Sequence, residues 1–235
     1  DSYGNLWVGT QNGLSVLNTK SNQFTRYMAF ANEKSINGKN VRDVVRANND
    51  VMWVATNRGL NKYIPAEDSF NQFNYSSPDG SDVDIYVILE DFAGFLWLGT
   101  NEHGLLRFDP NTGKTQVIAA DLNKSEEIKA TSIRSLYIDD TQTLWIGTNG
   151  RGLYKIDLTQ SKPANIEDSI VAIEFNTKIA LHSIQQDHQK TLWIGSESGL
   201  YYKKDGEDTF NFLTKSESST ISNDQVWSLY PDRSG

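Results

Sequence analysis

The chain has 235 residues, of which 37% are hydrophobic and 22% charged, a composition typical of a globular protein with an ample core. Its net charge of −8 argues against nucleic acid as a partner, because like charges repel. The absence of cysteine excludes disulfides, thiol catalysis and zinc–thiolate sites. No run approaches the ~18 apolar residues of a membrane span, so no membrane contact is expected within this segment.

A five-residue phrase centred on tryptophan recurs five times, at intervals of 46, 44, 48 and 48 residues. A period in the forties that is built on strand-like sequence is typical of a β-propeller. The repeat therefore decides how every other residue is interpreted. The five copies are Leu6–Thr10, Met52–Thr56, Leu96–Thr100, Leu144–Thr148 and Leu192–Ser196.

One complete repeat shows how the unit is built. Ile85 to Leu89 is apolar and β-rich, and the turn signal Asp91-Phe92-Ala93-Gly94 separates it from the tryptophan strand. Strands at Leu105–Asp109 and Lys114–Ala119 follow. Four short strands in about 45 residues make one antiparallel blade. We predict an all-β propeller with five four-stranded blades, forming a single domain or fragment over residues 1–235, with repeats near 1–46, 47–90, 91–138, 139–186 and 187–231.

The five tryptophans are interpreted as packing groups between blades. Strand alternation places the glycine two residues after the tryptophan on the same face, where it would leave room for the indole ring. One buried tryptophan contributes roughly 2–3 kcal/mol by its area. The predicted buried set is Trp7, Trp53, Trp97, Trp145 and Trp193.

The two ends of the sequence fall at the same point of the repeat. Gln225–Pro231 resembles the first strand of a repeat, whereas Leu6–Thr10 has no first strand before it. We expect these two segments to pair, which would hide two sheet edges. The count is compatible with a closed five-bladed ring or with an arc of a seven-bladed propeller. We predict no helix, and the polar segment Thr159–Asp168 is interpreted as a loop.

The pattern Asp-x-x-Gly-x-Leu-Trp-Val/Ile-Gly-Thr-x-x-Gly-Leu resembles the two-component regulator propeller repeat. Asp1–Leu14 and Asp91–Leu105 match it best. Ala47 and Ala55 depart from it in the second copy, and the turns after Asp139 and Asp187 lack the glycine. The resemblance implies an extracytoplasmic, periplasmic sensor region of a bacterial inner-membrane signalling protein. Such regions typically precede a histidine kinase or a diguanylate cyclase and usually have seven blades, so we expect a piece of a longer protein.

Two repeat positions collect residues that suit ligand recognition. The first, near the start of each first strand, has an arginine, histidine or aromatic residue in every copy. The second directly precedes the glycine of the following loop. Four of the eight arginines and two of the three histidines fall in these two sets. The candidate ligand-binding residues are Arg42, Arg58, Tyr86, His103, Arg134, Arg151, His182 and Trp227.

These residue types indicate a small polar ligand or a neighbouring domain of the same protein. Arginine forks bind carboxylates, and aromatic faces stack on sugars or cations. Oligosaccharide is the ligand class that the resemblance suggests. Asp84, Glu102 and Glu197 could accept hydrogen bonds from it. The competing interpretation is that these side chains are polar because they lie at wet loop ends, with arginines linking blades through carbonyl groups.

No catalytic residue, metal or cofactor is predicted. The three histidines lack metal-ligand spacing, and Asp79, Asp82 and Asp84 are interpreted as a solvated acidic loop rather than a calcium site. An enzyme resembling streptogramin lyase, with His103 and His182 at its active site, is one alternative. A scaffold that docks another domain is a second. Propellers host all three functions, so the fold does not choose among them.

Overall fold

The computed structural model describes residues 1–29, 35–75, 80–118, 132–159, 166–173, 178–216 and 221–232. It divides into two compact units, residues 1–117 and 118–235, which we describe separately. Each unit consists of antiparallel sheets whose strands are ordered as in the sequence, so the prediction of an all-β propeller fold is confirmed. In the described part, the helical residues are confined to two 3-10 turns, Pro65–Glu67 and Ile166–Ser169, and the second lies partly within the predicted loop Thr159–Asp168. None of these residues belongs to a helix long and apolar enough to cross a membrane.

The first unit contains three blades. Blade 1 has three strands in the described residues, and blades 2 and 3 have four each. The strands of blade 1 are β1 (Leu6–Thr10), β2 (Gly13–Asn18) and β3 (Gln23–Tyr27). Those of blade 2 are β4 (Val41–Arg46), β5 (Met52–Thr56), β6 (Gly59–Ile64) and β7 (Ser69–Phe73). Those of blade 3 are β8 (Ile85–Glu90), β9 (Leu96–Thr100), β10 (Leu105–Phe108) and β11 (Thr115–Ile118), whose last residue belongs to the second unit.

The second unit contains two four-stranded blades. Residues 225–230 are in no strand, so the expectation that Gln225–Pro231 forms a first strand is wrong for the described residues, and its pairing with Leu6–Thr10 stays a prediction. The strands of blade 4 are β12 (Ile133–Ile138), β13 (Thr143–Thr148), β14 (Leu153–Asp157) and β15 (Ile170–Ile173). Those of blade 5 are β16 (Leu181–Gln186), β17 (Leu192–Ser196), β18 (Leu200–Lys203) and β19 (Asn211–Leu213).

The glycine of the tryptophan phrase lets the next blade approach closely. A Cβ atom on Gly9 would lie 2.7 Å from Val41 Cγ1, and one on Gly147 would lie 3.1 Å from Leu181 Cβ. Val41 and Leu181 begin the first strands of the following blades. The glycine therefore makes room for the neighbouring strand, and not for the indole ring as the sequence pattern suggested.

The hydroxyl group that ends the phrase closes the next hairpin in all five copies. Thr10 Oγ1 donates to the carbonyl oxygen of Gly13 at 2.8 Å, and Ser196 Oγ donates to that of Gly199 at the same distance. The three intervening copies form the same bond at 2.6–3.2 Å. This repeated bond explains why the phrase ends in Thr or Ser, since an alanine would leave the loop carbonyl without its partner.

An aspartate six residues before the tryptophan forms a second repeated structure, which we call the aspartate clamp. Asp91 Oδ1 accepts the backbone N–H groups of Ala93 and Phe95 at 2.9 and 3.0 Å. Its Oδ2 accepts the indole N–H of Trp97 at 3.0 Å. Asp1, Asp139 and Asp187 bond the indoles of their own copies at 2.8 Å. Ala47 replaces the aspartate in blade 2 and offers no such acceptor.

The burial of the five tryptophans is graded. Trp53, Trp97 and Trp145 are buried as predicted, with exposures of 2, 0 and 7%. Trp53 packs edge-to-face against Phe108 of blade 3, with ring centroids 5.6 Å apart. Trp7 and Trp193 are only partly buried, which corrects the prediction for these two.

The turn before each tryptophan strand needs a left-handed residue three positions before the tryptophan. Gly4 and Gly94 fill it with φ of 82° and 84°, whereas Asp50, Gln142 and Lys190 adopt φ of 69°, 62° and 64°. A side chain in this region costs roughly 1 kcal/mol or more. The turn thus survives the loss of its glycine at a cost in stability.

This cost gives a matched pair of predictions. Gly94→Ala should destabilise the protein by about 1 kcal/mol, although a Cβ there would meet nothing within 4 Å. Gln142→Gly should stabilise it by roughly 0.5–1 kcal/mol, because the backbone strain is relieved. The gain is limited by the larger conformational entropy that glycine gives the unfolded chain. Urea unfolding of both variants measures the two signs. Changes of equal sign would show that backbone strain does not dominate this turn.

Candidate functional site

The first-position candidates sit on β-bulges. In each of blades 2 to 5 the pairing of first and second strands skips one residue near the start of the first strand. A bulge leaves the extra residue outside the ladder and re-aims its side chain, and bulges are frequent beside functional sites. The skipped residues are Arg42, Tyr86, Arg134 and His182.

The bulge separates a core residue from a polar one. The residue before each bulge is a buried aliphatic, Val41, Ile85, Ile133 or Leu181, with an exposure of 9% or less. The bulged residue itself is partly or largely exposed in all four blades. A buried aliphatic followed by a polar or aromatic residue is therefore the sequence signal of the bulge.

In the first unit, the candidates form an arginine–aspartate cluster, which consists of Arg42, Arg58, Asp82, Asp84 and Tyr86. Arg42 of blade 2 binds Asp84 at the entry to blade 3 with two bonds, Nε to Oδ1 at 3.0 Å and Nη2 to Oδ2 at 2.8 Å. Its guanidinium carbon lies 4.6 Å from the centroid of the Tyr86 ring. The hydrogen bond to Asp84 raises the pKa of Arg42 above its ordinary value. Arg42 therefore links two blades through a carboxylate, whereas the competing interpretation had carbonyl groups in this role.

Arg58 makes a similar contact from the second candidate position. Its Nε lies 2.5 Å from Asp82 Oδ2, although both side chains are well exposed. Asp82 and Asp84 are thus the ion-pair partners of the two arginines and not a merely solvated acidic loop. Asp79, the third member of that predicted loop, lies outside the described residues.

A buried asparagine network holds the backbone beside Arg58. Asn37 Nδ2 donates to the carbonyl oxygen of Arg58 at 3.1 Å and to Asn74 Oδ1 at 2.7 Å. Its Oδ1 accepts Thr56 Oγ1 at 2.7 Å and Asn61 Nδ2 at 2.8 Å. Asn37 and Asn61 are 5 and 0% exposed. Sequence reasoning missed both residues, because a single asparagine carries no burial signal, either in a polar loop like Asn37 or in a strand like Asn61.

His103 is the remaining candidate of the first unit. Its Nδ1 lies 2.9 Å from the carbonyl oxygen of Asn101, and the N–H of Asn101 donates to the carbonyl oxygen of Asp84 at 2.8 Å. The loop of His103 is therefore tied by backbone to the residue that binds Arg42. All four first-unit candidates thus lie in blades 2 and 3, and Arg42 and Tyr86 are in direct contact.

In the second unit, the candidates form a histidine–tryptophan cluster, which consists of Arg134, His182, Glu197 and Trp227. The rings of His182 and Trp227 stack, with centroids 4.0 Å apart and an interplanar angle of 21°. Trp227 keeps 64% of its surface exposed, whereas His182 Nε2 is buried and has no hydrogen-bond partner among the described residues. The stack therefore holds one indole face against the protein and leaves the other accessible.

The segment that carries Trp227 is fixed to blade 5 by its backbone. Val226 N donates to the carbonyl oxygen of Ser196 at 2.8 Å. A Cβ on Gly195 would lie 2.7 Å from the carbonyl oxygen of Val226. This close approach repeats the one that Gly147 permits for Leu181. Trp227 thus occupies the repeat position of a bulged residue, although its segment forms no strand.

Charged neighbours surround the histidine. Burial lowers the pKa of His182, Arg134 lowers it further, and Glu197 opposes both. Arg134 and Glu197 are therefore near enough to influence the imidazole. Arg151, the fourth candidate of this unit, is exposed in the loop after β13, where its N–H donates to Thr148 Oγ1 at 3.0 Å.

The lowered pKa of His182 predicts how stability depends on pH. The unfolded chain binds a proton near the ordinary value of 6.5, whereas the folded histidine binds it only at lower pH. The contribution is therefore fully present above pH 6.5 and is lost as pH falls towards the folded pKa. In His182→Gln, urea unfolding should show a smaller loss of stability between pH 7.5 and 5 than in the wild type. An unchanged slope would contradict this.

A second group of polar residues joins adjacent first strands and was missed at the sequence level. Asp43 Oδ2 accepts the N–H of Ile88 in blade 3 at 2.9 Å, and burial raises the pKa of Asp43. Ser135 Oγ donates to the carbonyl oxygen of Leu181 in blade 5 at 2.9 Å. Both follow the bulged residue directly. In the sequence, these two residues could be recognised as polar side chains at the first-strand position that Val87 occupies in blade 3.

Chemically, the two clusters offer groups that can bind a ligand. Within the described residues, no group of three or more His, Asp or Glu side chains could hold a metal ion. The arginine–aspartate cluster offers neutralised ion pairs and a tyrosine. The histidine–tryptophan cluster offers an exposed aromatic face beside charged groups. Such a set suits polar ligands with an apolar face.

The fold defines a β-propeller, and comparisons with known proteins agree. The model of the family described as two component regulator propeller matches residues 127–150. The resemblance seen in the repeated phrase is thereby confirmed for this segment of the chain. Comparison with curated proteins gives no match.

Three solved structures illustrate the fold similarity. The extracellular domain of BT3049 from B. thetaiotaomicron, assigned to a hybrid two-component system, has a TM-score of 0.76 at 22% identity, over 97% of this chain and 29% of that one. PorZ, a surface component of the type-IX secretion system of Porphyromonas gingivalis, has a TM-score of 0.71 at 15% identity, over 95% of this chain and 34% of that one. A protein assigned as a gluconolactonase has a TM-score of 0.56 at 12% identity, over 87% of this chain and 71% of that one. The chain thus spans about a third of the first two, and identities this low support the fold alone.

Proposed function

We propose that this chain is a non-catalytic recognition module in the extracytoplasmic, periplasmic part of a bacterial signalling protein. Its output would be a histidine kinase or a diguanylate cyclase. The support comes from the regulator propeller repeats and from the similarity to the extracellular domain of a protein assigned to a two-component system. The ligand would be a small polar molecule, with oligosaccharide as the first class to test.

The single observation that carries this proposal is the repeated bulge. In four blades one residue is left out of the strand pairing, and in no blade is it aliphatic. These bulged residues are Arg42, Tyr86, Arg134 and His182. A bulge that served packing alone would not need polar or aromatic side chains at each copy. The same position of the last segment carries Trp227, whose exposed face suits a sugar ring.

The histidine–tryptophan cluster is the part of the site to test first. In the arginine–aspartate cluster, Arg42 already donates two bonds to Asp84, so a ligand must compete with a formed ion pair. Trp227 instead offers an open surface that is held by the His182 ring. Truncating Trp227 removes this surface, and truncating His182 removes its support.

Thermal-shift screening against neutral oligosaccharides, uronic acids and small amines tests the proposal, because a ligand that binds only the folded state raises its stability. Trp227→Ala should weaken binding of the best ligand by about tenfold or more. Tyr230→Ala is the matched control, since Tyr230 belongs to the same segment and is 91% exposed, whereas Trp227 forms the stack on His182. It should leave the affinity unchanged.

Two outcomes would contradict the proposal. Full affinity in both Trp227→Ala and His182→Ala would place the ligand elsewhere. Chemical turnover of the ligand by the wild type would make the module an enzyme, the alternative that the gluconolactonase-assigned neighbour keeps open. The scaffold alternative would be favoured by two results together. No small ligand would bind, and a purified neighbouring domain would bind the wild type but not Trp227→Ala.

A further inference from the structure

The repeat creates similar grooves between a tryptophan with its aspartate clamp and the blade or segment that follows it. One lies beside Trp7 in the first unit, with a volume of about 210 Å³. Two lie in the second unit, beside Trp145 at about 210 Å³ and beside Trp193 at about 250 Å³. Because the blade geometry is repeated, differences among these grooves come from their side chains.

The groove beside Trp145 differs from the other two in its charge. It is lined by four lysines, Lys155, Lys190, Lys203 and Lys204, which we call the lysine groove. The grooves beside Trp7 and Trp193 have aspartates and no lysine or arginine in their lining. The difference is visible at matched positions of the repeat. Three residues before the tryptophan of the following blade, the Trp7 groove has Asp50 and the lysine groove has Lys190. Ten residues after that tryptophan, the two grooves have Tyr63 and Lys203.

Four of the 14 lysines of the chain therefore converge on one small groove. Three aspartates share the lining, so its formal charge is +1, four positive against three negative, on a chain of net charge −8. Like charges this close repel one another, so the ammonium groups gain from an anion bound between them.

The aspartates of the groove are largely occupied by other partners. Asp139 forms the aspartate clamp, with Oδ2 bonded to Trp145 and Oδ1 to Thr141 and Thr143. Asp140 pairs with Lys190 at 2.8 Å. Asp205 lies near enough to Lys190 to help raise its pKa, after the larger effect of Asp140.

The other three lysines have no carboxylate within ion-pair distance in the described part of the chain. Lys203 Nζ donates to the carbonyl oxygen of Glu207 at 3.0 Å, and Lys155 Nζ lies 6.0 Å from the Trp145 ring centroid. Thr141 Oγ1 donates to Asp139 Oδ1 at 2.6 Å, and Thr143 Oγ1 lies 3.1 Å from Thr141 Oγ1. The groove thus gathers cations around a volume that fits a small oxyanion.

We propose that the lysine groove is an anion-binding site, which takes the phosphate or carboxylate group of a small molecule. Lys203 and Lys204 would bind the anionic oxygens from blade 5, while Lys155 faces them from blade 4. This site goes beyond the proposed function, because its lysines lie on the third strands and in the turns that follow the first and third strands, and not at the bulges. The ligand class is set by charge and by size.

Isothermal calorimetry with inorganic phosphate and with citrate, at low ionic strength and against sodium chloride as reference, tests this site. The wild type should bind at least one of the two anions. The double variant Lys203→Gln/Lys204→Gln should weaken that binding by about tenfold or more, equal to about 1.4 kcal/mol. Lys178→Gln, an exposed lysine of the same unit away from the groove, is the matched control and should change it by less than about twofold.

The result that overturns the site is clear in each arm. No difference between either anion and chloride in the wild type would show that the groove binds no anion. Equal loss in the double variant and in Lys178→Gln would show a general charge effect. Trp227→Ala should leave anion binding intact, so this site and the proposed recognition function fail independently. Circular dichroism and urea unfolding confirm that the variants remain folded.

Discussion

Asp91→Ala is expected to destabilise the protein by roughly 3–5 kcal/mol, the largest effect that we predict for a single side chain. Asp91 is 5% exposed and accepts the indole N–H of Trp97 together with two backbone N–H groups. The substitution leaves these donors without their acceptor. Urea unfolding followed by far-UV circular dichroism measures the change.

A buried cation adds to this effect. Arg107 is 9% exposed, its Nη2 lies 3.8 Å from Asp91 Oδ2, and its guanidinium carbon lies 3.6 Å from the Phe95 ring centroid. Burial lowers the pKa of Arg107, and Asp91 is the largest opposing influence. Without Asp91, the charge would be buried without its nearest carboxylate, which is among the most costly changes in a protein interior.

Asp1→Ala is the matched control for Asp91→Ala. Asp1 makes the same indole and backbone bonds to Trp7 and Asn5, but both Asp1 and Trp7 are partly exposed. The residue paired with Trp7 across the sheet is Val16, where Trp97 has Arg107. We therefore expect a cost of only about 1 kcal/mol. Equal costs for the two variants would refute the role given to burial and to Arg107.

Asn37→Ala is expected to cost about 3 kcal/mol, because one buried side chain bonds four polar partners at once, of which Thr56 and Asn61 are buried. The substitution removes the acceptor of Thr56 and Asn61 and the donor to Asn74 and to the Arg58 carbonyl. The chain beside Arg58 would lose its anchor as well. We therefore expect faster amide exchange in residues 56–61 in addition to the lower stability.

Asn49→Ala provides the comparison for Asn37→Ala within the same blade. Asn49 is exposed and accepts a single bond, from Val51 N at 3.3 Å. Its loss should cost less than about 0.5 kcal/mol. A similar cost for both asparagines would show that the buried network is worth no more than one surface bond.

The sequence by itself was enough to predict the fold. The phrase around Trp97 recurs with a fixed period, and both the turn at Asp91 and the hydroxyl at Thr100 depend on neighbours within a few residues. Bonds of such short range repeat whenever the local sequence repeats. For this reason, the tryptophan strands lie where the repeat predicts them.

The candidate site was predictable only as a set of positions. Alignment of the repeats located Arg42, Tyr86, Arg134 and His182 at one equivalent place, and all four turned out to be bulged residues. The partners of these side chains come from other copies. Asp84 lies 42 residues from Arg42, and nothing in the repeat indicates that their side chains form two hydrogen bonds. Whether these residues bind a ligand stays a prediction.

The tertiary structure alone decided which equivalent residues are buried, paired or open. Trp7 and Trp97 share one phrase, yet Trp97 is fully buried and Trp7 is not, since burial depends on what the adjacent strands place over the ring. The same holds for the grooves beside Trp7 and Trp145, where equal backbone geometry carries Asp50 in one and Lys190 in the other. A repeated sequence sets bonds between near neighbours. Contacts between residues 40 or more apart depend on packing between blades, and the folded chain alone determines them.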